Sequence, residues 1–218
     1  LKVLGKTGII VEDEQALRIF SDAGCTVNSG DNKVTFPPGI VEAAIQSAPA
    51  EFTLHGRTPD RDILLDSRNP TGHFANFPSN INMIDWDSGQ IRASTKADLV
   101  KMTRLCDALE NLAFYSRAVY PLDVDPRMMH LHTAEACLKN TTKHSIHGPE
   151  NEWETWQIIR MAEAVAGADD YSMPRKPISF VSSMISPLKM SKDFCEVTRT
   201  SASRGFPTII ASAAMGGG

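Results

Sequence analysis

The sequence predicts an α/β protein, because strand-like and helix-like segments alternate along its second half. Four short strand-like runs lie between Thr95 and the end of the 218-residue chain, at 113–120, 142–147, 177–182 and 207–211. Segments with helical periodicity separate them. Strands that alternate with helices are typical of βαβ units, whose strands form a parallel sheet.

The character of these strands favours a closed barrel over an open sheet. They are short and rather polar, whereas the central strands of a doubly wound sheet are near-continuous runs of Val, Ile and Leu. A complete TIM (β/α)8 barrel takes about 250 residues and eight strands. We therefore expect residues 95–218 to be about the N-terminal half of a TIM barrel. The chain ends in a glycine run directly after a strand, so we expect it to be a fragment.

The helices of this half are predicted from their periodicity and their termini. Thr95 followed by Asp98 resembles a capping box, and apolar residues from Leu99 to Leu109 recur at helical spacing. Further helices are predicted at 127–139, 152–165 and 192–204.

Residues 1–94 lack this alternation and predict a small α+β cap outside the barrel. A helix is predicted at 12–22, a hairpin from 25–27 and 33–36, and a second helix at 37–46. Later, the segments 80–85 and 90–92 flank Asp87-Ser88-Gly89, a strong hairpin signal. We expect the cap to serve assembly into a homo-oligomer.

Composition excludes several classes of protein. The net charge of −4 and the pI near 5.9 argue against a nucleic-acid partner. No apolar stretch approaches the roughly 20 residues of a membrane helix, and no secretory signal opens the chain. The four cysteines have neither CxxC nor metal-ligand spacing. This pattern indicates a cytoplasmic protein with reduced thiols and no metal site.

Several ordered stretches carry a family resemblance. Residues 83–99 read MIDWDSGQIRASTKADL, similar to a D-x-x-T-G-x-x-R-x-x-T-x-x-D-L pattern. Further matching stretches lie at 34–37, 48–49, 52–57, 140–144, 186–188 and 205–207, followed by the terminal glycines. In this order and at roughly this spacing, they resemble the trimethylamine:corrinoid methyltransferase family over nearly the whole chain.

The resemblance implies a (β/α)8 barrel that demethylates a methylated amine. The methyl group would pass to the cobalt of a corrinoid (cobalamin) that a separate partner protein carries over the barrel mouth. Founding members carry pyrrolysine late in the barrel, at a position beyond Gly218, and relatives without it include enzymes that act on glycine betaine. We expect a quaternary amine as the substrate.

Candidate site residues follow from the position of TIM-barrel active sites at the carboxyl ends of the strands. His147 is the predicted catalytic residue, either as a donor to a substrate carboxylate or as a neutral ring near a cation. The residues predicted to bind substrate are Tyr120, Ser182, Ser183, Ser212 and Met215. Gly216 and Gly217 are predicted to let the corrinoid approach closely.

Each assignment has an alternative. Tyr120 would hold a quaternary ammonium on its aromatic face or pack under a loop, and Ser182 and Ser183 would bind a carboxylate or fill a barrel layer. His147 would otherwise be a loop histidine bonded to the backbone, and His144 is expected to be a satisfied core or lumen residue.

Two other functions remain open at this stage. A lyase or aldolase would need a Schiff-base lysine or metal-binding carboxylates at strand ends, but Lys143 lies early in its strand. A non-catalytic barrel that binds methylated amines is the second alternative.

Overall fold

The computed structural model describes residues 1–167 and 173–211 and shows a mixed α/β protein. The α-helices in this part of the chain are α1 (Lys2–Lys6), α2 (Glu14–Asp22), α3 (Pro38–Ser47), α4 (Lys96–Ala108), α5 (Met129–Asn140), α6 (Glu152–Ala166) and α7 (Lys192–Ser203). None of these helices has the length and apolar character that crossing a bilayer requires.

Twelve strands lie in the same described residues. They are β1 (Ile9–Val11), β2 (Thr26–Asn28), β3 (Lys33–Thr35), β4 (Glu51–Leu54), β5 (Ile63–Asp66), β6 (Asn82–Ile84), β7 (Ile91–Ala93), β8 (Tyr115–Ser116), β9 (Ser145–His147), β10 (Ile178–Ser183), β11 (Lys189–Met190) and β12 (Thr208–Ala211). The predicted β2–β3 and β6–β7 hairpins are confirmed.

The second half of the chain forms a parallel sheet in the order β8-β9-β10-β12. Helix α5 connects β8 to β9, α6 connects β9 to β10, and α7 precedes β12. Each of α4, α5 and α6 packs against the next helix along the chain. The predicted series of βαβ units is therefore confirmed over these four strands, and neighbouring strands follow the chain order.

The two faces of this sheet differ in what they contact. Ile178 and Phe180 of β10 are fully buried in a core that includes Ile158 and Ile159 of α6. Side chains alternate along a strand, so Ser179, Val181 and Ser183 belong to the opposite face. That face lines two clefts, to which Ile146 and Ile209 also contribute. The helices thus cover one face, and the candidate site lies on the other.

Helix α4 begins at the capping box that the sequence predicts. Thr95 accepts the N–H of Asp98, and the Asp98 carboxylate accepts the N–H of Thr95 at 2.9 Å. Arg92 adds two hydrogen bonds to the same carboxylate, at 2.6 and 2.9 Å. These bonds hold the pKa of Asp98 below its ordinary value. The network joins the β6–β7 hairpin to the first helix of the α/β half.

The N-terminal sheet includes a strand from the second half of the chain. Its order is β11-β1-β3-β2, with β1 antiparallel to β3 and parallel to β11. Strand β11 lies in the connection after β10, which contains a cis Ser186–Pro187 peptide. Val11, Val34 and Phe194 are buried in the core between this sheet and α7. Neither β1 nor β11 was predicted.

The strand predicted at 113–120 is wrong in its extent, because only Tyr115–Ser116 joins the sheet. Beyond Ser116 the backbone bonds to residues 79–80 instead: the N–H of Ser79 donates to Arg117 and that of Asn80 to Ala118. Pro78 has no N–H to continue this pairing, and beyond Ser116 it amounts to a single isolated bridge between Asn80 and Val119.

Strand β9 also begins later than predicted, because residues at its start are bonded to a side chain. The Asp107 carboxylate accepts the N–H of Thr142 at 2.7 Å and the hydroxyls of Thr141 and Thr142. The chain therefore enters the sheet only at Ser145.

Candidate functional site

A cleft of about 760 Å³ lies at the carboxyl ends of the parallel strands. Its volume is within the roughly 300–1,000 Å³ of small-molecule sites. Its polar lining includes Arg117, Tyr120, Glu150, Ser182, Ser183 and Asp193. The structure thus brings together three of the residues predicted to bind substrate, namely Tyr120, Ser182 and Ser183.

Arg117 and Tyr120 form a stacked pair in this cleft. The guanidinium carbon lies 3.8 Å from the centroid of the Tyr120 ring, and Nη2 donates to the Tyr120 hydroxyl and to Ser79 Oγ, the latter at 3.0 Å. One face of the Tyr120 ring is therefore already occupied by a cation. Burial lowers the pKa of Arg117, although a guanidinium stays protonated at any physiological pH.

Sequence reasoning missed Arg117. The strand-end rule selected the last residue of the predicted strand, whereas Arg117 lies three residues earlier. A signal was present, since a single charged residue interrupts the otherwise uncharged run 113–120.

The predicted catalytic residue His147 is buried and does not line the cleft. Its backbone pairs with Phe180, and paired residues of neighbouring strands share a face, so the imidazole lies on the side that the helices cover. Nε2 lies 2.9 Å from Ser145 Oγ, and Nδ1 has no hydrogen-bond partner among the described residues. Burial, with Arg117 and His144 nearby, lowers the pKa of His147 to about 3. The ring is therefore neutral near pH 7.

His144 is the satisfied interior residue that the sequence predicts. Its Nδ1 lies 2.8 Å from the carbonyl of His55 and its Nε2 lies 2.6 Å from Ser179 Oγ. A neutral ring that donates from Nδ1 and accepts at Nε2 satisfies both contacts. Burial lowers the pKa of His144 to about 4.

Acidic side chains line another part of the cleft. Asp193 lies in the first turn of α7, and Glu150 has an exposed carboxylate 3.3 Å from Nε2 of the buried His130. The His130 ring contacts Tyr120 edge-on, with centroids 6.5 Å apart. The cleft thus presents both a buried cation and exposed anions. Within residues 1–167 and 173–211, no cluster of His, Cys, Asp and Glu side chains could hold a metal ion.

Ser182 and Ser183 end β10 on opposite faces, since Ser182 pairs with Ile210 and Ser183 with Ala211. Four further predicted residues, Ser212, Met215, Gly216 and Gly217, lie outside the described residues.

Lys143 is placed as a structural residue. Its buried ammonium donates to the carbonyls of Cys106 and Leu109, at 2.7 and 2.6 Å. It does not line the cleft at the strand ends, so the structure gives no support to a Schiff-base lysine at this position.

Comparison with known proteins relates the whole chain to one family. The family model described as trimethylamine methyltransferase (MTTB) matches residues 1–218. A trimethylamine methyltransferase MttB from Desulfitobacterium hafniense (strain DSM 10664 / DCB-2) is 36% identical over 217 residues, covering 100% of this chain and 43% of the relative. A glycine betaine methyltransferase from D. hafniense (strain Y51) is 26% identical over 221 residues, covering 100% of this chain and 44% of the relative.

Proteins from Methanosarcina species are also similar. The trimethylamine methyltransferase MttB1 of Methanosarcina mazei is 31% identical over 223 residues, covering 100% of this chain and 45% of the relative. The chain thus spans less than half the length of these curated relatives. Because the family model covers every residue from 1 to 218, the chain belongs to the trimethylamine methyltransferase family.

Proposed function

We propose that the full-length protein is a methyltransferase that removes a methyl group from a methylated amine, with a quaternary amine as the preferred substrate. The observation that carries this proposal is a mixed-charge cleft at the carboxyl ends of parallel strands, in a chain whose whole length matches a methyltransferase family. Active sites of α/β proteins lie at this end of the strands.

The barrel is part of the same proposal. Strands that follow the chain order, with consecutive helices on one face, are the arrangement of a (β/α)8 barrel. An open doubly wound sheet reverses its strand order and has helices on both faces. Residues 95–218 would then supply the first strands of the barrel, and the described cleft would be one side of its mouth.

The methyl acceptor has to come from outside this part of the enzyme. All four cysteines are buried, and burial raises the pKa of each thiol. A thiol with a raised pKa is a poor nucleophile at neutral pH. A reduced corrinoid on a partner protein supplies a sufficiently strong nucleophile, and this is the acceptor we propose.

The described residues would then bind and orient the amine. Glu150 and Asp193 give the cleft a negative potential that attracts a cation, while Tyr120, Ser182 and Ser183 would border the bound molecule. Fixing the amine against the acceptor supplies the alignment that methyl transfer requires. His147 is not among these contacts, because its ring lies on the other side of the strand.

The test is to incubate the full-length enzyme with glycine betaine or trimethylamine, with and without cob(I)alamin, and to follow methylcobalamin by its absorbance. Transfer that requires both enzyme and cob(I)alamin is the expected result. Demethylation that proceeds equally well without corrinoid would overturn the proposed acceptor. Binding of the amine without any transfer would favour the non-catalytic alternative.

Assembly into a homo-oligomer is a further part of the proposal. The β6–β7 hairpin exposes Ile84, Trp86 and Ile91, and exposed apolar groups of this kind are typical of protein interfaces. Sedimentation of the full-length protein at micromolar concentration tests this, and a strict monomer would contradict it.

A further inference from the structure

We propose that Arg117 binds a carboxylate of the substrate, which restricts the enzyme to amines that carry an anionic group. This inference rests on the proposed function and adds to it the residue that determines the substrate class. The preferred molecules would be zwitterions in which a quaternary ammonium and a carboxylate are joined by a short linker.

The burial of Arg117 is the first step of the argument. Only 9% of the residue is exposed, and its Nε is buried without a hydrogen-bond partner among the described residues. Among the described residues, its side chain donates to two neutral hydroxyls, those of Ser79 and Tyr120. A buried charge without a counter-charge is strongly destabilising, so this site requires an anion.

Other arginines of this chain show how such a charge is ordinarily satisfied. Arg92 pairs with Asp98, Arg175 with Asp62, and Arg199 with Asp13 and Glu152. Arg117 forms no ion pair with any carboxylate in the described ranges. The structure therefore leaves the charge of Arg117 without a carboxylate partner at the cleft, and a carboxylate of the substrate would supply that partner through a charge-assisted hydrogen bond.

The position of Arg117 directs it to the substrate. The residue lines the cleft at the strand ends, and stacking on Tyr120 fixes the plane of the guanidinium. Tyr120 is accordingly a positioning residue for Arg117 in this proposal. Glu150 and Asp193 border the same cleft, so a zwitterion would place its carboxylate at Arg117 and its ammonium toward these acids.

The alternative is that Arg117 has a purely structural role, satisfied by an acid elsewhere in the full-length enzyme. The two roles differ in what they predict for ligands with the same cation. Glycine betaine and choline both carry a trimethylammonium group, but choline has a hydroxyl where glycine betaine has a carboxylate. A structural arginine would affect both ligands alike.

The experiment measures the binding of glycine betaine and of choline to the full-length enzyme by calorimetry, for wild type, Arg117→Met and Arg117→Lys. Arg127→Met is the matched control, because Arg127 is an exposed arginine outside the cleft. Circular dichroism establishes whether each variant is folded. If Arg117→Met is not folded, the comparison with wild type is made with Arg117→Lys instead.

We expect wild type to prefer glycine betaine, and Arg117→Met to weaken its binding by about 10- to 100-fold, the range of a lost charge-assisted contact. Arg117→Lys should weaken glycine betaine binding less than Arg117→Met does. The affinity for choline should change by less than about threefold in either variant, and Arg127→Met should bind both ligands like wild type. Equal losses for both ligands, no loss for either, or no preference in wild type would each overturn the assignment. Methyl transfer from trimethylamine without binding of glycine betaine would refute this inference alone, whereas no corrinoid-dependent transfer from either amine would refute the proposed function.

Discussion

Acidification from pH 8 to pH 5 is expected to loosen the region around β9, because this strand and the residue before it hold two buried neutral histidines. The ordinary pKa of histidine is 6.5, whereas burial lowers that of His147 to about 3 and that of His144 to about 4. When the region around β9 opens locally, both histidines regain their ordinary pKa. As the pH falls, this opened form therefore takes up protons before the folded form does. The contribution of these two histidines to stability is constant above about pH 6.5 and declines below it.

The magnitude follows from these pKa values. At pH 5 an opened histidine is mostly protonated while both folded rings are still neutral, so each contributes a loss of about 2 kcal/mol relative to pH 8. The two rings together give a loss of about 4 kcal/mol, or roughly a thousandfold in the opening equilibrium. Ser145 and Ser179, which bond to these rings, would lose an acceptor on protonation of their partners.

The assay is amide hydrogen exchange of a peptide spanning residues 141–149 in the full-length enzyme, corrected for the intrinsic pH dependence of exchange. His147→Gln should show about half of the wild-type decline between pH 8 and pH 5, each protein being compared with its own value at pH 8. His73→Gln is the control, because His73 is exposed and should leave the decline unchanged. Equal protection at both pH values in wild type, or an undiminished decline in His147→Gln, would refute the reasoning.

Three further changes test the packing that supports the cleft. Asp98→Asn removes the charge that Arg92 and Thr95 share and should destabilise the enzyme by about 1–3 kcal/mol in urea denaturation; an unchanged midpoint would show that the capping network contributes nothing. Tyr115→Phe deletes a fully buried hydroxyl that accepts from Thr103 at 2.9 Å, and should cost about 1–3 kcal/mol by the same measurement; an unchanged midpoint would contradict this. Gly8→Ala should lower the melting temperature, because a Cβ there would lie 2.4 Å from the Val34 carbonyl at a φ of +72°; Gly72→Ala, with nothing within 4 Å, should melt like wild type.

The helices could be predicted from the sequence because their limits depend on neighbouring residues. Helix α6 extends from Glu152 to Ala166, one residue beyond the prediction. Asn151 caps its first turn, and Gly167 ends it at a φ of +68°. Both signals act over a few residues, as helix capping does in general.

The strands and the site were harder to predict from the sequence. Where a strand begins and ends, and which residues line a site, depends on partners that are distant in the chain. Strand β11 has only two residues, and nothing near it in the sequence indicates its pairing with β1. The face of the parallel sheet on which the His147 side chain lies could not be predicted from the sequence either. Apolar alternation would have given the wrong face, because Ile146 lines the cleft and the more polar His147 faces the helices.

The pairing of β1 with β11 also determines an order of folding. Ile10 pairs with Lys189, so completing the N-terminal sheet closes a loop that contains most of the chain. The β2–β3 hairpin closes locally, whereas contacts between distant residues form slowly because the chain must first lose more entropy. During translation, β1 would therefore emerge from the ribosome early, with one edge unpaired. That edge could be covered only after the residues beyond β10 had been synthesised.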